Sequence, residues 1–165
     1  MMRRLLLFGC ALALPLSVCA QEPSVQVQPP DLHGSRQLED LTATAVVRDY
    51  LQSWKDLRTA LDENQPQPLQ QDFVGTALSK LTDTVAQQSK LGIHTRYVDH
   101  AHRLQIVFYS PDGLSIQLVD HVDYDEQVMQ GGTVLGTQPV HARYVVVLTP
   151  SQTRWQVRIF QEAAE

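Results

Sequence analysis

Cysteine, basic charge and long apolar runs are all in short supply in this chain, and each shortage excludes something. Only two cysteines occur, Cys10 and Cys19, and both fall in the first twenty residues. A chain cut after Ala20 has none, which excludes disulfides and thiolate metal sites from the folded domain. Lys and Arg number 13 against 18 Asp and Glu. Loss of Arg3 and Arg4 with the first twenty residues leaves 11 against 18, a net charge of −7, which argues against nucleic acid or an anionic membrane surface as partner. The longest apolar run, residues 5–16, falls short of the roughly 20 residues that a membrane span requires. Motifs of catalysis are equally scarce. There is no Gly-x-Ser-x-Gly elbow, phosphate-binding glycine loop, His-Glu-x-x-His helix or dinucleotide fingerprint, so the sequence calls for no cofactor.

What is present begins with an export signal. Arg3 and Arg4 precede the apolar run, and Val18-Cys19-Ala20 offers small residues for cleavage before Gln21, the pattern of a secretory signal peptide over residues 1–20. The expected location is periplasmic or secreted. Leu16-Ser17-Val18-Cys19 approximates a lipobox, although Val18 is a poor match before the cysteine, so the alternative is a lipid anchor on Cys19. Residues 21–36 are polar and proline-bearing without an apolar period, the composition of a flexible tether. Residues 37–165 then form a single domain of ample size to bury its own core.

Within that domain the apolar period changes once. Val47, Tyr50, Leu51, Trp54, Leu57 and Leu61 recur at steps of three and four, one stripe of a long helix. The segment 64–68, with Pro66 and Pro68, ends it. A second helical region over 69–91 carries Phe73, Ala77, Leu78, Leu81 and Val85 on one face, with Gly75 positioned to divide it and Gly92 to cap it. Beyond Gly92 the period falls to two. Strands are expected over 94–99, 103–109, 114–127, 140–148 and 154–160, with a turn at 110–113 and a loop over 129–138 containing Gly131, Gly132 and Gly136. Helices leading into antiparallel strands give an α+β fold, N-terminal helices packed on a curved antiparallel sheet.

Three amphipathic helical pieces, then strands closing on Tyr144 to Leu148 and Trp155 to Val157, resemble the nuclear transport factor 2-like superfamily, a cone of curved sheet wrapped on helices. Trp54, Gly75, Leu78, Leu91-Gly92, Tyr97, Tyr144 and Trp155 are most similar to the IMS-type domain of chloroplast-division and cyanobacterial proteins, over about residues 40–162. These are core and turn positions, so they speak for fold more than for activity. The resemblance to IMS-type domains implies protein interaction and envelope organisation.

Candidate chemistry concentrates in residues 118–128, where Asp120, His121, Asp123, Asp125 and Glu126 crowd together. Strand parity divides them. Leu114, Ile116, Leu118, Val122, Tyr124 and Val128 occupy even positions, so the even face is buried and carries Asp120, with Glu126 near the strand end. His121, Asp123 and Asp125 share the other face about 7 Å apart, a solvated row that cannot converge on one ion without help from elsewhere, and no metal is expected. Asp120, a carboxylate on an apolar face, must be paired, neutralised or placed at an opening. His100 and His102 are candidates to join it, as ligands or as a base and its orienter.

The sequence supports two functional readings. In the first, the chain is an exported, non-enzymatic module that binds a protein partner or a second copy, with a small apolar ligand as a further option. Its interaction surface is the outer sheet face, Arg143, Val145, Val147, Arg158 and Phe160, with Tyr144, Val146, Leu148, Trp155, Val157 and Ile159 turned inward. In the second, resemblance of architecture to ketosteroid isomerases and polyketide cyclases implies a small enzyme with Asp120 as general base and Tyr97 or Tyr124 as polarising donor.

Overall fold

A computed structural model describes residues 22–34 and 36–163; the expected export signal, with Cys10 and Cys19, lies outside the described residues. The apolar stripe forms helix α1, Asp40–Glu63, burying Tyr50, Trp54, Leu57 and Leu61 along one side together with Val46, while Val47 and Leu51 are half-buried. Asn64 ends it in the left-handed conformation, its backbone N–H bonded to Ala60 O and its side chain donating to Ile93 O at 2.8 Å. That bond ties the end of the helix to the start of the sheet. The second helical region divides at Gly75, as its position suggests: α2 spans Leu69–Asp72 and α3 spans Gly75–Lys90. Gly75 has φ +57° and Gly92, just past α3, has φ +69°, conformations that a side chain would strain.

The strands form one open, curved sheet with helices packed on one face. In chain order the strands are β1 (Ser24–Val27), β2 (His94–Tyr109), β3 (Ile116–Gln130), β4 (Thr133–Pro150) and β5 (Trp155–Ala163), and they lie in that same order across the sheet. β2 to β5 make an antiparallel meander, and β1 joins the edge of β2 in parallel. The core fills the space between α1 to α3 and the inner sheet face, with Leu104, Ile106, Ile116, Leu118, Val122, Val146, Leu148 and Val157 facing the helices. Each such fully buried aliphatic side chain contributes about 1.5–3 kcal/mol.

The structure departs from the sequence expectations in four places. Two short strands expected at 94–99 and 103–109 are one strand, because a bulge at His100 lets Asp99 and Ala101 both remain paired to β3. The loop expected at 129–138 is a turn at Gly131 and Gly132, Gly131 at φ +56°, between strands that run on to Gln130 and from Thr133. Residues 24–27, expected to be tether, pair with residues 101–104 of β2, and further backbone bonds from Gln28, Asp31 and His33 continue along the same edge. All four β1 side chains are exposed, the alternating Val25 and Val27 included, and the segment joins the sheet through its backbone.

The fourth departure moves a candidate interface residue. Leu148 faces Val157 and Val147 faces Ile159, so Arg158 is an extra residue in β5 and reverses the parity beyond it. Ile159, expected inward, is 43% exposed. Phe160, expected on the outer face, stacks on Tyr144 at 4.5 Å and meets Trp54 and Phe73 in the core.

Candidate functional site

Asp120 is fully buried on the inner face of β3, and pairing meets the requirement of a buried carboxylate at Oδ2 while Oδ1 is buried without a partner. Its Oδ2 accepts a hydrogen bond from the Tyr50 hydroxyl of α1 at 2.7 Å and contacts His102 Nδ1 of β2, also at 2.7 Å. From His102 the polar chain continues outward. His102 Nε2 lies 3.9 Å from Asp99 Oδ2, which accepts from Trp54 Nε1 at 3.1 Å and from Arg58 Nη1 at 2.6 Å. Tyr50, Trp54 and Arg58 are spaced by one helical turn each, so a single face of α1 supplies three of the donors. The His102 ring also packs edge-on to Trp54, with centroids 5.1 Å apart.

Electrostatics follow from this enclosure. Burial is the largest single influence on His102 and works to lower its pKa, but the hydrogen bond to Asp120 and the nearby carboxyl groups of Asp120 and Asp99 carry it up to about 9. At neutral pH the ring is therefore an imidazolium. Burial, reinforced by the neighbouring Asp120, pushes the Tyr50 hydroxyl well above the ordinary tyrosine range, so it stays a neutral donor.

The two tyrosines expected beside Asp120 lie elsewhere in the core. The Tyr124 hydroxyl is 3.3 Å from that of Tyr144, and its ring packs on Tyr97 at 4.4 Å. Burial raises the pKa of all three, Tyr97, Tyr124 and Tyr144. The donor that does reach Asp120 is Tyr50, which periodicity places only in an apolar stripe. Arg58, one turn beyond Trp54 on the same stripe, is the available signal that this helix face is not wholly apolar. His102 joins Asp120 as the spacing suggests, whereas the bulge turns His100 outward, where it meets Asp125 at 3.2 Å.

On the outer face the solvated row forms its own pairs. Asp123 lies 2.7 Å from His141 Nδ1 and 3.3 Å from Arg103 Nη1, and the His141 contact is the main cause holding its pKa below the usual carboxylate range. Among the described residues no group of three or more His, Cys, Asp or Glu side chains converges as metal ligands would. Arg143, Val145 and Val147 are half-buried on this face, Arg158 is exposed, and Val119 packs opposite Val145. With Ile159 beside Val147, the face away from the helices carries the apolar row Val119, Val145, Val147 and Ile159.

The clefts at the surface of the described residues include two beside α1. One, of about 560 Å³, lies between α1 and the first half of β2 and is lined by Pro23, Lys55, Arg58, Tyr97, Val98 and Asp99 among others. The second, of about 420 Å³, is lined by Arg48, Asp49, Gln52, Asp56, Gln71, Thr153 and Arg154. Beneath it Asp72 is fully buried and bonded to Arg154 at 2.6 Å, and burial together with the nearby Asp56 raises its pKa to about 6. Asp120 lines neither cleft.

No family model matches the sequence, and no curated protein does. The fold is similar to a solved structure, the intermembrane-space region of the chloroplast protein ARC6, with a TM-score of 0.63 at 18% identity, over 79% of this chain and 100% of that one. Among the described residues no helix is long and apolar enough to cross a membrane.

Proposed function

We propose that the protein is an exported, non-enzymatic interaction module of the cell envelope, built on a nuclear transport factor 2-like cone of the IMS type, that binds a protein partner or a second copy through the outer face of its sheet. The observation that carries this reading is the row Val145, Val147 and Ile159 on the face opposite the helices, Val145 and Val147 half-buried and Ile159 43% exposed, with Arg143 and Arg158 beside it; Val119, next to Val145, is buried. A sheet face that only meets water alternates to polar side chains, and a contiguous apolar row there fits a contact surface. The similarity to the ARC6 region supports the fold on which this surface sits. Cleavage after Ala20 would release a periplasmic or secreted form, and lipidation of Cys19 would anchor it; mass spectrometry of the mature N-terminus separates the two.

The enzymatic alternative requires a base that substrate can reach. Asp120 has no exposed surface, and its bonds to Tyr50 and His102 engage it within the core. Those features favour the binding reading. The test places a photo-crosslinking residue at Ile159, and separately at the exposed His121, in protein exported to its native envelope. A discrete crosslinked species from position 159, lost on Val145→Glu without change in melting temperature, is expected. A monomer at high concentration that crosslinks to nothing from position 159 contradicts the proposal.

A further inference from the structure

Strand register divides the outer face of the sheet into rows of different character. Phe108, Gln117, Val147 and Ile159 lie side by side across β2 to β5, and Gln105, Val119, Val145 and Gln161 form the next row. Neither row holds a charge. The third row is Arg103, His121 and Arg143, two arginines with a histidine between them. Beyond it the acids Asp123 and Asp125 are already engaged. Asp123 lies 3.3 Å from Arg103 Nη1 and 2.7 Å from His141 Nδ1, and Asp125 lies 3.2 Å from His100. Arg143 differs from its neighbours in this respect. It is half-buried, its stem lying along the sheet, and among the described residues no carboxylate pairs with it. Acids are not scarce in this chain, with 18 Asp and Glu against 13 Lys and Arg, so the unanswered charge at Arg143 is a matter of placement.

That placement narrows what can cover the face. A second copy stacked face to face must be related by a two-fold axis lying between the two sheets. An axis along the strands lays the arginine row on the same row of the other copy, where like charges meet. An axis across the strands, through the two uncharged rows, lays Arg143 near Thr149, which has no charge to offer. Neither arrangement brings a carboxylate to Arg143. A different protein can do so. Successive rows are about 7 Å apart along a strand, so a segment that seats apolar side chains on Val145, Val147 and Ile159 reaches Arg143 with a carboxylate a short step along its own chain.

We infer that the outer face receives a different protein rather than a second copy, through a segment of that protein that combines apolar side chains with a carboxylate, the apolar part on the uncharged rows and the carboxylate on Arg143. This rests on the reading of the outer face as an interaction surface and adds the chemistry of the partner.

The test combines the photo-crosslinking residue at Ile159 with charge variants of the full chain, exported to its native envelope, and maps the crosslinked segment by mass spectrometry. The expected adduct joins this chain to a different protein, at a segment with an Asp or Glu within about one helical turn of the crosslinked position. Arg143→Gln should lower the adduct yield about two- to fivefold, and Arg143→Glu, which sets like charges against each other, about tenfold or more. Lys80→Glu, the same change of charge at an exposed position on α3, should leave the yield unchanged. Replacing the mapped carboxylate by Lys should restore the adduct to Arg143→Glu. Melting curves report whether each variant is folded, and Arg143→Gln decides the matter if Arg143→Glu is not. An adduct with the mass of a homodimer, a mapped segment without acids, or a yield unchanged in the folded Arg143 variants overturns this inference and leaves the reading of the face standing. No adduct from position 159 overturns both.

Discussion

Asp120 and Asp123 sit three residues apart on β3, and each lies 2.7 Å from the Nδ1 of a histidine on a neighbouring strand, Asp120 from His102 on β2 and Asp123 from His141 on β4. The contacts are alike in length and chemistry but opposite in surroundings: side-chain exposure is 2% and 0% for His102 and Asp120, against 73% and 23% for His141 and Asp123. In the interior neither partner can turn to water if the other is lost, so the two depend on each other. On the surface water replaces either partner at little cost. Distance alone therefore ranks these pairs as equals, and burial separates them.

Removing one member of each pair should expose the difference. Asp120→Ala leaves the His102 charge and the Tyr50 hydroxyl without their acceptor, and the loss of one partner from a buried pair costs about 3–5 kcal/mol; denaturant unfolding should show it, and a loss below about 1 kcal/mol would put Asp120 in the same class as Asp123. Next in size is the parity reversal at Arg158. Phe160→Ala should lose about 2 kcal/mol, less than for a fully enclosed ring because Phe160 is only half-buried, while Ile159→Ala should stay within about 0.5–1 kcal/mol. The opposite ranking would place Phe160 outside after all.

A pH series probes the buried pair without mutation. An unfolded histidine titrates near 6.5, and folded His102 holds its proton to about 9. Between those values the native state binds more protons than the unfolded one, so this contribution to stability is complete below about pH 6.5 and is lost as pH rises through about 9. A fall on the order of 3 kcal/mol across that window is expected from equilibrium unfolding, and His102→Gln should flatten it. The smallest effect is expected at the surface: Asp123→Ala should change stability by about 0–1 kcal/mol, with any loss shrinking as salt is added.

How much of the molecule is legible in sequence depends on whether a residue's surroundings are local. The α1 stripe, the Gly75 break and the two-residue period of the strands are local patterns, and the structure obeys them. So does the division of Asp120 from His121 and Asp123, because parity within one strand is fixed by the backbone. The bulges at His100 and Arg158 have no signature of glycine or proline, and each reverses the faces of the residues beyond it. That is why Ile159 and Phe160 exchange places. β1 is faint for a different reason, since only Val25 and Val27 alternate within a short stretch flanked by polar residues and prolines, and the strand joins the sheet through its backbone with every side chain exposed. The partners of Asp120 come from α1 and β2, 70 and 18 positions away, and no local pattern connects them.

His102 stands as an imidazolium between Asp120 and Asp99 in the core. The ¹⁵N shifts of its ring nitrogens, tracked by NMR from pH 5 to pH 10, test it directly. Both nitrogens should remain protonated through neutral pH, and the shifts of both should change near pH 9 as the ring loses one proton. A ring that is neutral at pH 7, in a single tautomer, would contradict the account.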